Sequence, residues 1–226
     1  QTSSKLKVNE KIISAVSDAM VIETEQNYLS STGSSFEQNF NIVVSSFSAT
    51  AQDNGESQTR SFHGGRGNCQ QIGAEYFDVS RALHECEILS REAIELLTAE
   101  NCPSDTRDLI LSPDQMLLQI HESIGHPLEL DRILGDERNF AGWSFVQQSD
   151  FGKLKYGSDM MNVVFDPTVP NEMASYKFDE VGNPAEKKYL IKDGVLLAAL
   201  GSLESQARTQ ISGVANSRSS SWNRAP

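Results

Sequence analysis

Apolar residues first recur at Val8, Ile12, Ala15, Val16, Ala19 and Met20, a spacing that predicts an amphipathic helix over residues 8–22. The segments FNIVVSSFSATAQ (40–52) and SQTRSFHG (57–64) read as strands. Asp53-Asn54-Gly55-Glu56 between them predicts a hairpin, because Asn and Gly tolerate the positive φ of a tight turn. Residues 79–99, VSRALHECEILSREAIELLTA, set Leu83, Cys86, Leu89 or Ser90, Ala93, Leu96 and Leu97 on one face and predict the longest helix. The turn formers Asn101-Cys102-Pro103-Ser104-Asp105 follow and mark a domain boundary. Beyond it, RDLIL (107–111) reads as a short strand. A second helix opens at Ser112-Pro113-Asp114, with a capping serine, a proline at the first helical position and an acid at the positive end of the dipole. YLIKDGVLLAAL predicts a hairpin turning at Lys192-Asp193-Gly194. Together these elements imply an α+β fold. A helix-and-antiparallel-strand domain spans 1–102, and 103–226 holds the start of a β-rich domain whose first helix carries the candidate chemistry.

Composition narrows the picture. At 226 residues, 38% hydrophobic and 22% charged, the chain can bury a sizeable core. A net charge of -12, from 31 acidic against 19 basic groups and with no local basic patch, disfavours nucleic acid as a partner. Cys69, Cys86 and Cys102 are odd in number and lack Cys-x-x-Cys spacing, so neither a disulfide framework nor a zinc ribbon is expected. A reducing cytoplasm suits them, with Cys86 as a core residue. No apolar run approaches the roughly 20 residues that cross a bilayer. The first residues, QTSSKLKVNEKIISAV, carry neither an initiating Met nor a leader pattern, and both ends read as those of an excerpt from a longer chain.

The chemistry concentrates in HESIGH, residues 121–126, followed by Pro127. Neutral imidazoles bind Zn²⁺ at about 2.0–2.1 Å, and a carboxylate beside an open coordination position can accept a proton from water there. Residues five apart on a regular helix differ by about 500°, or about 140° after full turns, so His121 and His126 cannot share an ion unless the helix ends between them. Gly125 and Pro127 supply that ending. Met116, Ile120 and Ile124 are expected to face the core. Two solvated histidines at a frayed helix end are the plainer alternative. Glu129 and Asp131 could orient a ligating imidazole from behind, or simply be solvated. His63 with Gly64-Gly65-Arg66-Gly67 could cradle an anion, but without a following Lys-Ser/Thr a hairpin-end turn is the better reading. His84 is expected in solvent.

HESIGHPLELDRILGDERNFAGWSFV resembles the metal-binding segment of the TldD/PmbA family of metallopeptidases. GGRGNCQQIGAEYFD resembles that family's glycine-rich strand region, and NVVFDPTVPNEMASYKFDEVGNPAEKKYLIKDGVLLAAL resembles its downstream Asp-Pro-Thr run, turn and hairpin. The likeness runs from about Asn27 to the end. It implies His121 and His126 as zinc ligands, Glu122 as the catalytic glutamate, and peptides or unfolded protein segments as substrate. It also implies a homodimer or a heteromer with a PmbA-like subunit. The family takes a third ligand, a cysteine, from much later in the chain, and nothing after Cys102 is a cysteine here. Two other functions are attached to the family: a non-catalytic partner subunit, which typically lacks the motif, and a DNA gyrase modulator, which the net charge disfavours.

Overall fold

The structure, a computed structural model, describes residues 1–31, 33–65, 68–214 and 216–218. It is a mixed α+β chain in two compact units, Gln1–Thr24 with Phe40–Gln115, and Glu25–Asn39 with Met116–Pro226. The turn-forming stretch at 101–105 is thus irregular backbone inside the first unit, and the change of unit comes at 115/116.

The first unit is built on a sheet in the order β1 (Ile12–Leu29), β2 (Ser35–Asp53), β3 (Glu56–Ser61), with β4 (Asn68–Gln70) also on β2; of the two long strands it holds residues 12–24 and 40–53. The β2–β3 hairpin forms in the expected register, Asp53 opposite Glu56, with Asn54 and Gly55 at φ 49° and 89°. Residues 12–29 correct the helix expected over 8–22. The apolar set 8, 12, 16, 20 has a spacing of four, a multiple of the strand period of two, so it fits one face of either element. The β-branched residues Ile12, Ile13, Val16, Val21 and Ile22 then favour the strand, where their stiff χ1 costs least. A short helix α1 (Thr2–Leu6) precedes it.

Helix α2 (Val79–Leu96) covers the sheet, capped by Asp78, whose carboxylate accepts the Arg81 N–H at 3.0 Å. Cys86, Leu89 and Ala93 from its inner face meet Phe47, Ala49 and Ala51 of β2, with Leu6 and Ile12 completing the core. Ser90 is buried on the same face and donates to the Leu6 carbonyl. His84 is exposed, as expected. His63 sits in a single turn, Phe62–Gly65, just past β3 with φ 54°; the Arg66 and Gly67 of the suggested anion cradle lie outside the described residues. RDLIL, read as a strand, forms none. It has no pairing partner among the described residues, and Ile110 is 97% exposed.

The second unit contains α3 (Pro113–Ile120) from Met116 onward, α4 (Leu130–Leu134), and a small sheet of β5 (Val163–Phe165), β6 (Lys188–Lys192) and β7 (Val195–Leu196), then α5 (Leu203–Thr209). Its strands are short and its connections long. The β6–β7 turn uses Asp193 and Gly194, both at positive φ. A Cβ on Gly194 would lie 2.5 Å from the carbonyl oxygens of Gly157 and Ser158, so this turn tip packs on backbone and tolerates no side chain. Residues 25–39 bring Gln38, whose amide oxygen accepts the N–H groups of Lys177 and Phe178 while its Nε2 donates to the Phe178 carbonyl, in the manner of an added strand residue. The core holds Ile124, Leu128, Val146, Leu190, Ile191, Leu196, Ala198 and Val214. Ile120 is 44% exposed, which corrects its expected place on the core side; Ile124 alone of the trio is buried.

Candidate metal centre

The helix does not end between the two histidines. It widens. After α3 the backbone makes one π-helical turn, His121–Gly125, in which the His126 N–H donates to the His121 carbonyl five residues back. That turn absorbs the extra residue by returning His126 over His121, and their rings lie 4.3 Å apart at 75°. Gly125 stays right-handed, at φ -55°. Pro127 acts differently from a helix stop as well: a single 3₁₀ turn, His126–Leu128, follows, and the chain extends only at Glu129. Ile124 and Leu128 anchor both turns in the core.

Regular α-helical bonding would have the Ser123 carbonyl accept the N–H of residue 127, and a proline has none. Tyr156 supplies the donor instead, its hydroxyl lying 2.6 Å from that oxygen. Tyr156 is held by its own N–H, which donates to the Gly194 carbonyl at 2.7 Å, so the β6–β7 turn tip supports the π turn through one side chain. Burial pushes the Tyr156 hydroxyl pKa up, which keeps it a donor.

His121, Glu122 and His126 offer ligand atoms all within 4.8 Å of one another, the one such group of three among the described residues. Two ligand nitrogens on one tetrahedral zinc stand about 3.3 Å apart, given bonds of about 2.05 Å. Small rotamer changes therefore suffice, and the nitrogen and oxygen donors suit a zinc-like ion. His121 and Glu122 are exposed, with Nε2 to Oε1 at 3.9 Å. His126 is half-buried, and its Nδ1 lies 3.0 Å from Glu129 Oε1. A hydrogen on Nδ1 donated to that carboxylate leaves the Nε2 lone pair for a cation. Asp131 does something else: its carboxylate accepts the Arg132 backbone N–H at 2.9 Å. Glu129 and Asp131 also line a cavity of about 310 Å³ with Ser202, Glu204 and Arg208. The three thiols are free: Cys86 is in the core, Cys69 on β4 and Cys102 exposed.

Two residues of this arrangement escaped the sequence. Arg132, three positions after Glu129, bonds Glu129 Oε2 at 2.9 Å and reaches His126 Nδ1 at 3.1 Å. The i,i+3 charge spacing was a usable sign of it. Tyr156 had no local signal; only the missing N–H of Pro127 implied that some donor was needed.

Residues 104–226 match the family described as PmbA/TldA metallopeptidase C-terminal domain. A metalloprotease of Methanocaldococcus jannaschii is 27% identical over 197 residues, covering 87% of this chain and 41% of the relative. Among solved structures, a protein of Thermotoga maritima described as a proposed modulator of a DNA gyrase superposes with a TM-score of 0.69 at 17% identity, over 97% of this chain and 47% of its own. TldE from Thermococcus kodakarensis gives a TM-score of 0.66 at 14% identity, over 99% and 47%. These two show a shared fold. The chain spans less than half the length of each of these proteins. No helix among the described residues is long and apolar enough to cross a membrane.

Proposed function

This chain belongs to the PmbA/TldD family of metallopeptidases, and from that premise we propose that it carries the His121, Glu122 and His126 part of a zinc-dependent peptidase site of TldD type. The substrates would be peptides or unfolded protein segments. The observation that carries this reading is the π turn, which brings two imidazoles and a carboxylate within 4.8 Å where a regular helix would part them.

His121 and His126 would hold the ion through ring nitrogens, with Glu129 keeping the His126 ring aimed. A bound zinc would supply Lewis acidity toward a substrate carbonyl and toward water. Glu122, free to turn toward that water, would accept its proton at a carboxylate oxygen and return it to the leaving amine. Two histidines leave a four-coordinate site one protein ligand short. By the family pattern, a cysteine outside these 226 residues completes it. A homodimer or a heteromer with a PmbA-like subunit is the matching assembly, and the intact motif favours the catalytic partner in it. The gyrase-modulator reading has only a fold shared at 17% identity behind it and faces a net charge of -12.

In the whole protein, Glu122→Gln should keep zinc content while peptide cleavage falls by about 10²–10⁴. His121→Ala should lose metal and activity together. Measuring bound zinc and cleavage side by side decides the matter, and a Glu122→Gln protein that cleaves at the parental rate would end this assignment.

A further inference from the structure

Arg132 is the most constrained charged side chain around the site, with 13% of it exposed. Its guanidinium is a rigid planar fork, so fixing two nitrogens fixes the third. Nε donates to Glu129 Oε2 at 2.9 Å and Nη1 to the Ala141 carbonyl at 2.7 Å; Nη2 then stands 3.1 Å from His126 Nδ1, and since a guanidinium only donates, this approach is no hydrogen bond when Nδ1 carries its own hydrogen. Glu129 presents its other oxygen to that same Nδ1 at 3.0 Å. The side chain of Glu129 is 30% exposed, so without the fork its carboxylate could turn toward water. The Ala141 bond ties the fork to the segment after α4, outside the helix that carries Arg132 and that Glu129 precedes.

From this geometry we infer that Arg132 is a positioning residue: acting through Glu129, it locks the His126 ring in the orientation that presents Nε2 to a metal ion. The inference rests on the zinc-site reading for the ion, but not for the lock itself. Asp131, the other acid after the motif, has its carboxylate on the Arg132 backbone, which leaves the aiming of His126 to the Glu129–Arg132 pair.

The test uses Arg132→Lys, which keeps the charge but lacks the planar fork that ties Glu129 to the Ala141 carbonyl, together with Glu129→Gln and the double variant. In the metal-free protein, ¹³C relaxation of the His126 ring should show a rigid order parameter near about 0.85 that falls below about 0.6 in Arg132→Lys, while the His121 ring is unchanged. In zinc titrations, Arg132→Lys should bind at least about 10-fold more weakly than the parent. The double variant should be no weaker than Glu129→Gln alone, because a residue acting only through Glu129 has nothing left to position. If folding suffers, Arg132→Gln, with the thermal midpoint recorded beside ring order, separates lost stability from lost aim. A parental His126 ring already as mobile as that of His121, or ring order unchanged by Arg132→Lys, would overturn the lock even if no zinc binds. Zinc binding in the parent with an undiminished affinity in Arg132→Lys would overturn its link to the metal. Absence of zinc binding in the parent, with the ring still rigid and loosened by Arg132→Lys, would sink the zinc reading and leave the lock standing.

Discussion

Helix α2 keeps one register for 18 residues, whereas the run 113–128 passes from α to π to 3₁₀ before it ends. Both are amphipathic, and they do different work. α2 needs only a stripe, and Cys86, Leu89, Ser90 and Ala93 repeat at a single period against the sheet. The second run has to bury Ile124 and Leu128 and also point two histidines the same way from positions five apart. No uniform period satisfies both demands, and the added backbone turn resolves the conflict at the residue where chemistry is wanted.

The comparison can be broken by changing length. An alanine inserted after Cys86 rotates the rest of α2 by about 100° and takes Leu89, Ser90 and Ala93 off the core. The loss of a single buried leucine costs about 2–5 kcal/mol, so the insertion should cost on the order of 5 kcal/mol, comparable to the whole stability of a small domain. Deleting Gly125 should act far more mildly, by no more than about 1–2 kcal/mol. It returns the π turn to α geometry and leaves the two histidines four apart on one helix face. Urea denaturation of the two variants measures the difference, and equal losses would mean that the π turn is as intolerant of length change as α2.

How much could be read from the sequence follows the same line. The face of α2, the Asn54-Gly55 turn and the Asp193-Gly194 turn were all legible, because each rests on a local period or a local φ requirement. Residues 8–22 were misread since a spacing of four suits helix and strand alike, and only pairing with β2 decides it. RDLIL has strand-like residues and, among the described residues, no strand paired with it. At the site, Gly125 and Pro127 signalled a disturbance, but not that the backbone would widen instead of stop. The carbonyl that Pro127 cannot serve is met by the Tyr156 hydroxyl, 33 residues away, which no local pattern announces.

Tyr156→Phe isolates this distant contribution. It removes the hydroxyl that serves the Ser123 carbonyl and keeps the ring against Phe145, 5.7 Å away. The expected loss is about 1–1.5 kcal/mol, the net worth of one hydrogen bond whose carbonyl can turn to water instead, with an unchanged denaturant slope. The sign with pH is also set. The folded-state pKa is raised by burial, so the tyrosine's contribution is complete below the ordinary value of about 10 and declines as pH climbs from there toward the folded value. A parental protein whose stability is flat through that alkaline range, or a Tyr156→Phe variant as stable as the parent, would remove Tyr156 from the account of the π turn.

The smallest effect belongs to the regular helix. Asp78 caps α2 by accepting the Arg81 N–H at 3.0 Å, one of the first-turn donors that no helix can satisfy internally. Asp78→Ala should therefore cost about 1 kcal/mol, and Asp78→Ser should recover most of it, since a hydroxyl oxygen serves the same N–H. The stripe of α2 stays in register either way, so the loss should appear as a lower thermal midpoint while zinc affinity and the His126 ring order keep their parental values. That pattern separates a helix end, where one hydrogen bond is exchanged for water, from a register change, where one residue alters which side chains meet. A drop of several kcal/mol from Asp78→Ala would show that the end of α2 carries more than its cap, and the contrast between the two helical runs would need redrawing around that terminus.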